Sequence, residues 1–283
     1  FHCFTLKTGI LYCLANIFLK NKHKAVLSIT GLGFLFSNSF QAWLLRLIVK
    51  PFIRRLFNKS FDVIIFQNHS DEKLFLKFSR FSKQTKLIPS SGIEIDNFKK
   101  RINKPNNLAK KKVIFVSRLL YDKGIFDYIN LVNKVNKEKV EFYLAGERDD
   151  GNPQNISDSD MERILNEENL NYMGKIDVET ELSKFDISII MSSHEGFSRI
   201  LLESLYVGLY CLAYKIQGTE AMKAFDNLEL IELNHIDKFV EFIENFNEIE
   251  DNTKNIQLTE KLYASEVVAS QFESIYKELG ILN

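Results

Sequence analysis

Two carboxylates lie eight positions apart in this chain, on either side of a glycine-containing turn. Glu195 precedes Gly196, and the largely apolar run that begins at Ser198 carries Glu203. A turn that leads into a helix presents backbone amides and the positive end of the helix dipole, which favour an anion such as phosphate. Carboxylates repel phosphate, whereas paired sugar hydroxyls are natural partners for them. The pattern therefore indicates a ligand that has both groups, a nucleotide-sugar.

The elements around the two glutamates must position them. Residues 186–191 form an apolar run typical of a buried strand, and residues 198–207 are predicted to form a helix. Strands alternate with helices along the whole chain, which indicates parallel sheets with crossover helices. Strands are predicted at 24–30, 62–67, 86–89, 112–117, 140–145, 170–173, 186–191, 209–214 and 228–231. Helices are predicted at 8–20, 40–57, 70–81, 124–137, 157–168, 178–184, 198–207, 236–246 and 265–279.

The stretch from Glu195 to Glu203 resembles the E-x7-E motif of the family 4 retaining glycosyltransferases, which have the GT-B fold. The segment 113–124, VIFVSRLLYDKG, resembles the strand and loop that bring an Arg and a Lys to the donor diphosphate in that family. Segments 142–146 and 171–176 resemble two further strand ends of the donor cleft. Together these segments cover most of residues 112–225. They also follow one another in the family's order, which makes the resemblance specific.

The resemblance implies a role for each matching residue. Glu195 would approach the hydroxyls of the donor sugar, Glu203 would bind the ribose, and Arg118 and Lys123 would stabilise the departing diphosphate. No cofactor and no metal are expected, because these two cations can supply the positive charge. The catalytic candidates are Glu195, Arg118 and Lys123. The donor-binding candidates are Glu203, Gly196, Phe197, Ser198, Arg199, Ile176, Gly31 and Gly33, and the acceptor-side candidates are Thr5 and Lys7.

Each main candidate also has a structural interpretation. Glu195 could be an acid that caps the following helix, and Glu203 could be a solvated helix residue. Arg118 could form an ordinary surface ion pair, and Lys123 could be a solvated turn residue. The amides of residues 197–199 are expected to complete the cradle for the diphosphate.

Residues 4–9 and 28–33 resemble a subset of the family that extends bacterial undecaprenyl-diphosphate-linked sugars. That subset commonly has a Thr-x-Lys-Pro element, and Thr8 stands here in place of the proline. The resemblance implies a UDP-sugar donor and a polyprenyl-diphosphate-linked acceptor. It also implies hexosyl or N-acetylhexosaminyl transfer in capsule, lipopolysaccharide or related glycan synthesis.

The predicted architecture is α/β of the GT-B type, with two Rossmann-like domains. Residues 1–98 would form an acceptor-side domain that is incomplete, because it offers three strands where a Rossmann-type half has about six. A polar stretch at 99–111 would link it to a donor-binding domain at 112–262. The final segment, 263–283, would be a helix that crosses back toward the N-terminal domain.

Charge is unevenly distributed along the chain. Residues 1–61 contain nine Lys or Arg and no Asp or Glu, which predicts an anionic partner. Residues 43–57 have the composition of a helix that lies at a membrane interface, although a helix packed on its sheet with a solvated basic face would look similar. The uncharged segment 25–45 is not expected to span a membrane, because glycines and polar residues interrupt it.

The three cysteines show no metal-binding or disulfide spacing, which favours a reducing compartment. We therefore expect a cytoplasmic protein, peripheral at the inner face of the cell membrane, with no nucleic acid partner. Two alternative functions remain open at this stage. The chain could be a truncated module that binds nucleotide-sugar with weak catalysis, or a GT-B-fold nucleotide-sugar epimerase.

Overall fold

The computed structural model describes residues 1–18, 23–36, 40–100, 110–246 and 251–282. It divides into two compact units, one formed by Phe1–Gly92 with the chain from Ser265 onward and the other by Ile93–Ala264. Residues 93–98 thus lie with the second unit, where the buried Phe98 packs edge-on against Tyr206. Most of the predicted linker, residues 101–109, lies outside the described residues.

Ten strands and eleven helices are present in the described residues. The strands are β1 His2–Phe4, β2 Val26–Ile29, β3 Val63–Phe66, β4 Gln84–Leu87, β5 Lys111–Val116, β6 Val140–Ala145, β7 Leu170–Gly174, β8 Ile187–Ile190, β9 Tyr210–Tyr214 and β10 Leu228–Ile231. The helices are α1 Leu6–Phe18, α2 Phe40–Ser60, α3 His69–Ser79, α4 Ile125–Lys134, α5 Asp158–Leu165, α6 Val178–Glu181, α7 Arg199–Val207, α8 Gln217–Glu220, α9 Ile236–Asn245, α10 Thr253–Leu262 and α11 Ser265–Glu278.

The first unit contains a parallel sheet with the order β1-β2-β3-β4. The expectation of three strands there was wrong, because β1 pairs in parallel with β2, with His2 opposite Val26. Three residues without an apolar alternation give no periodic signal, and only the pairing with β2 defines β1 as a strand.

Alternating side chains of the central strands face the two sides of this sheet. Leu27 and Phe66 point into a core shared with α1, α2 and α3. Val26 and Ile65 point to the other side, where they pack against α11. The His2 ring joins β1 to α11, since its Nδ1 lies 2.6 Å from the Tyr276 hydroxyl.

The second unit contains a parallel sheet of six strands with the order β10-β9-β8-β5-β6-β7. From β5 the chain runs outward through β6 and β7, then returns to the other side of β5 with β8, β9 and β10. The loops after β5 and β8 lead to opposite sides of the sheet, and the gap between them is the topological switch point. In α/β sheets, ligands bind at this point, at the carboxyl ends of the strands. Both faces are covered, so β8 is buried at every position.

The sequence prediction missed α10, which packs against α7 in the second unit. Its buried positions include Asn255 and Thr259, so the inward face of this helix lacks the apolar stripe that predicts a helix. The Asn255 side chain instead donates to the carbonyl of Asp226 at 2.9 Å. The prediction also missed α8, whose single turn is too short to show periodicity.

Across the described parts of the chain, every helix is too short or too polar to traverse a lipid bilayer.

Candidate functional site

A pocket of about 630 Å³ opens at the switch point of the second unit. Its walls are the loops that follow β5, β6, β7 and β8, together with the first turns of α7. Its lining includes most of the predicted donor-site residues: Arg118, Lys123, Ile176, Glu195, Phe197, Ser198, Arg199 and Glu203. Gly196 forms the turn between two of them. The fold therefore brings together residues that are distant in sequence.

The N-terminus of α7 lines the pocket and carries a buried polar side chain without a partner. Ser198 occupies the N-cap position but makes no capping hydrogen bond, and its Oγ is buried with no hydrogen-bond partner among the described residues. Ser198 as a whole is 1% exposed, so this hydroxyl has lost water without gaining a protein partner.

One amide of the expected cradle has a partner within the protein. The Ser198 amide donates to the Gly218 carbonyl at 3.4 Å, so this amide already has an acceptor within the protein, and its role toward a ligand stays a prediction. The first intrahelical bond runs from the Leu202 amide to the Ser198 carbonyl. The amides of residues 199–201 precede that bond, and helix geometry leaves such amides without intrahelical acceptors.

Lys123 and Glu195 form an ion pair between the loops after β5 and β8. The Lys123 Nζ lies 2.7 Å from Glu195 Oε1, and the two side chains are 12% and 20% exposed. Lys123 is therefore not a solvated turn residue. Glu195 is not a helix cap either, because Ser198 holds that position. Gly218 packs closely on this loop, since a Cβ there would lie 2.5 Å from the Glu195 carbonyl oxygen.

Glu203 pairs with Arg199 one turn earlier in the same helix. The Arg199 Nε donates to Glu203 Oε1 at 2.6 Å, and the carboxylate side chain is 8% exposed while the arginine is 54% exposed. Glu203 is thus not a solvated residue. Burial raises the pKa of Glu203 above its ordinary value, and the hydrogen bond from Arg199 opposes that shift.

Arg118 lies at the mouth of the pocket, paired with an acid that the sequence prediction missed. Its guanidinium donates to Asp149 Oδ2 at 2.6 Å, and Arg118 remains largely exposed. Hydrogen bonds from Asn152 and from Arg118 lower the pKa of the Asp149 carboxyl. The surface ion pair suggested for Arg118 is therefore present in this structure, within the pocket lining.

Further charged or polar residues line the pocket and were not predicted. They include Ser117, Glu147, Arg148 and Lys175. Each directly follows or adjoins the carboxyl end of a strand, which is the signal that could have found them. Arg148 is itself engaged with Asp158 at the start of α5.

The remaining predicted residues belong to the first unit. Thr5 follows β1 with a left-handed φ of 75°, and its amide donates to the Ser28 carbonyl at 2.8 Å. Lys7 is exposed in the first turn of α1. Gly31 and Gly33 follow β2 with φ values of 150° and 56°. All four lie near the carboxyl ends of β1 and β2, and their roles stay predictions.

No group of three or more His, Cys, Asp or Glu side chains within the described ranges is arranged to hold a metal ion. Asp158 and Asp160 are near each other in sequence but serve the local fold. Asp160 accepts hydrogen bonds from Tyr121 and Ser157, and Asp158 pairs with Arg148.

Residues 96–261, more than half of the chain, match the model of the family described as Glycosyl transferases group 1. The chain belongs to this family. The match spans the whole pocket, from the loop after β5 to α7. No curated protein matches the chain.

Solved structures show that this group 1 glycosyltransferase has the GT-B fold. The chain is similar to sucrose-phosphate synthase from Thermosynechococcus elongatus, with 17% identity, TM-score 0.78, and 98% of this chain covering 73% of that one. It is also similar to Anabaena Alr3699/HepE in complex with UDP-glucose, with 17% identity, TM-score 0.76, and coverage of 98% and 78%. A trehalose 6-phosphate synthase from Burkholderia multivorans has 12% identity and TM-score 0.73, with coverage of 99% and 71%.

Proposed function

We propose that this protein transfers a sugar from a UDP-sugar to an acceptor hydroxyl, with retention at the anomeric carbon. The observation that carries the proposal is the pairing of cations with carboxylates around the unpartnered Ser198 hydroxyl, at the switch point of the donor-type unit. Such a pocket offers positive charge and the amide donors of a helix N-terminus to a diphosphate, and carboxylates to sugar hydroxyls. The likeness to HepE, which was crystallised with UDP-glucose, supports UDP-sugar as the donor class.

Arg118 and Lys123 are proposed to stabilise the departing diphosphate. As the bond between the anomeric carbon and the diphosphate oxygen breaks, its electrons stay on that oxygen and negative charge builds there. Donors that are already oriented lower the cost of that charge. Lys123 is held in place by Glu195, whereas Arg118 would exchange Asp149 for the phosphate oxygens.

Glu195 and Glu203 are proposed to bind hydroxyls rather than to act as an acid and a base. Glu195 sits beside the cation that faces the diphosphate, close to where the donor sugar would lie. Glu203, lying inside α7 and largely buried, would accept hydrogen bonds from the ribose. In the balanced reaction the acceptor oxygen forms the new bond to the anomeric carbon, and its proton is released with UDP. Arg118 and Lys123 can provide the charge for this step, and we propose that no metal is needed.

The acceptor is proposed to be a sugar carried on a polyprenyl diphosphate, in the synthesis of a bacterial capsule, lipopolysaccharide or related surface glycan. The resemblance of residues 4–9 and 28–33 to enzymes that extend such acceptors supports this assignment. The absence of acidic residues from 1–61 also suits an anionic lipid diphosphate. The protein would then work at the cytoplasmic face of the membrane.

The donor proposal is tested by calorimetric titration of UDP and by transfer assays with UDP-glucose and UDP-N-acetylglucosamine. Arg118→Ala and Glu203→Ala should each weaken UDP binding or transfer at least tenfold. Arg163→Ala and Glu162→Ala are matched controls on the exposed side of α5, outside the pocket lining, and should leave both unchanged. Wild-type values in the Arg118→Ala and Glu203→Ala variants would refute the site.

The acceptor proposal has its own test. Transfer to an undecaprenyl-diphosphate-linked sugar should exceed transfer to the same sugar without the lipid. Equal rates for both acceptors would overturn the lipid assignment while leaving the donor site intact.

A further inference from the structure

The outer side of helix α2 carries a row of large apolar side chains. Phe40, Trp43, Leu44, Leu47 and Ile48 recur at spacings of three and four residues, so they share one side of the helix. Phe40 is 73% exposed, Ile48 69% and Trp43 48%. The rings of Phe40 and Trp43 stack at 5.7 Å between centroids, which makes the start of the row one continuous apolar surface.

This exposure is not a sign of a helix without a packing surface. The opposite side of α2 is fully buried at Ala42, Ile53 and Phe57, and the latter two pack into the core of the first unit. The helix therefore already has its stabilising contacts. The exposed row is additional apolar surface, and contiguous apolar surface of this kind marks an interaction site.

Cations continue the row toward the C-terminal end of the helix. Arg55 and Lys59 are exposed, and their spacing from Ile48 places them along the same side. Neither forms an ion pair in the parts of the chain that the structure describes. Other basic residues of α2 are used internally, since Arg54 donates to the Phe78 carbonyl at 3.0 Å and Lys50 lies over the Phe78 ring.

No acidic residue counters these charges nearby in the sequence. Residues 1–61 contain no Asp or Glu, so α2 contains none. A surface that combines bulky apolar groups, an exposed tryptophan and unopposed cations complements an interface of apolar chains beneath anionic headgroups.

We infer that the side of α2 formed by Phe40, Trp43, Leu44, Leu47, Ile48, Arg55 and Lys59 docks on a membrane that contains anionic lipid. The apolar residues enter the headgroup–acyl boundary, and the two cations bind headgroup phosphates. The helix has 21 residues, about 31 Å at ~1.5 Å per residue, and would lie in the plane of the interface. The inference deepens the proposed membrane association and rests on it, but it concerns α2 alone.

Trp43 makes the inference directly testable, because it is the only tryptophan in the chain. Its fluorescence reports on α2 and on nothing else. Adding vesicles of phosphatidylcholine mixed with phosphatidylglycerol to the purified chain should shift the emission maximum to shorter wavelength. Lipids brominated on their acyl chains should quench it. Vesicles of phosphatidylcholine alone should give a much smaller shift.

Two sets of variants separate the apolar and cationic contributions. Leu47→Glu with Ile48→Glu should abolish vesicle flotation, whereas Leu165→Glu with Leu233→Glu, exposed leucines of the second unit, should preserve it. Arg55→Gln with Lys59→Gln should weaken partitioning about thirtyfold, the equivalent of ~1 kcal/mol for each cation. The matched change of the exposed Lys137 and Lys139 to Gln should have little effect.

Three results would overturn the inference. One is an unchanged Trp43 spectrum with anionic vesicles. Another is equal binding of wild type and the Leu47→Glu, Ile48→Glu variant to those vesicles. The third is concentration-dependent self-association without lipid that this variant removes, which would assign the surface to a second copy of the chain. UDP binding is measured in the same samples, so a failure of the donor proposal is distinguishable from a failure of this one.

Discussion

The pocket of the second unit and the outer side of α2 in the first both contain arginine and lysine, but in opposite settings. In the pocket Lys123, Arg199 and Arg118 each have a carboxylate partner within 2.7 Å. On α2, Arg55 and Lys59 have no acid in the same helix. Partnered charges hold a fixed geometry, which suits a small ligand of defined shape. Unopposed charges beside apolar side chains give a less directional attraction, which suits an extended anionic surface.

The largest expected effect comes from breaking the most enclosed pair of the pocket. Lys123→Ala should lower the transfer rate about a hundredfold, or ~3 kcal/mol, because it removes the preoriented cation that we propose stabilises the diphosphate. It also leaves the Glu195 carboxylate without its partner. Steady-state transfer assays measure the change.

Lys134→Ala is the matched control for this prediction. Lys134 also lies 2.7 Å from an acid, Asp237, but that pair is exposed on α4 and α9, away from the pocket lining. The Lys134→Ala substitution should change the transfer rate little. If both substitutions reduce transfer equally, ion pairing in the pocket has no special role and the comparison fails.

A glycine in each unit tests how tightly the backbone is packed at the candidate ligand loops. Gly146, after β6, has φ +142°, and a Cβ there would lie 1.7 Å from the Ser117 carbonyl oxygen. Gly146→Ala should therefore destabilise the second unit by about 3 kcal/mol, through clash as well as backbone strain. Chemical denaturation followed by far-UV circular dichroism measures the free energy of unfolding.

Gly33 in the first unit provides the contrast. Its φ is +56°, and a Cβ at this position would meet nothing within 4 Å. Gly33→Ala should cost only the backbone strain, about 1 kcal/mol. A loss as large as that for Gly146→Ala would contradict the view that the pocket loop is the more closely packed of the two.

The first unit should lose stability as the pH falls. Burial lowers the pKa of His2 from its ordinary 6.5 to about 4. The unfolded chain therefore binds a proton between these values that the folded chain does not, and stability falls as the pH drops through this window. The loss should be about 2 kcal/mol once solvent screening is allowed for. Thermal unfolding from pH 7 to pH 4 should show this dependence in wild type and a weaker one in His2→Gln.

Glu203 should give the second unit a smaller dependence of the opposite sign. Burial raises its pKa above the ordinary 4.5. The folded state thus holds a proton that the unfolded chain releases, and stability falls as the pH rises from 4.5 through the raised value. The free energy of unfolding of wild type relative to Glu203→Gln should decline across that interval. A constant difference would show that Arg199 fully offsets the burial.

Local sequence was sufficient for most elements of both units. Apolar runs predicted β8 and the start of α7 to within one or two residues, because strands buried on both faces are continuously apolar. The elements without such a signal were missed. β1 is defined only by pairing with β2, and α10 buries Asn255 and Thr259 through hydrogen bonds rather than through an apolar stripe.

The candidate site divides in the same way. The spacing around the glycine turn predicted Glu195 and Glu203, and the resemblance of segment 113–124 to the family's strand and loop supplied Arg118 and Lys123. The partner of Arg118 was not predictable, because Asp149 reaches it from the loop of the neighbouring strand. The hydrogen bond from the Ser198 amide to the Gly218 carbonyl was likewise not predictable, because Gly218 belongs to a later part of the chain.

The sequence by itself determined the alternation of strands and helices, the eight-residue spacing of the two glutamates and the acid-free character of residues 1–61. Each of these features depends only on neighbouring residues or on a count of residues, so it can be read directly from composition and periodicity. Only the tertiary structure decided which charges are partnered across loops, which hydroxyls are buried without a partner and which side of α2 faces solvent. Apart from Arg199 and Glu203, which lie four residues apart in one helix, these contacts depend on strand order and on packing between distant segments. A short window of sequence therefore does not contain both partners.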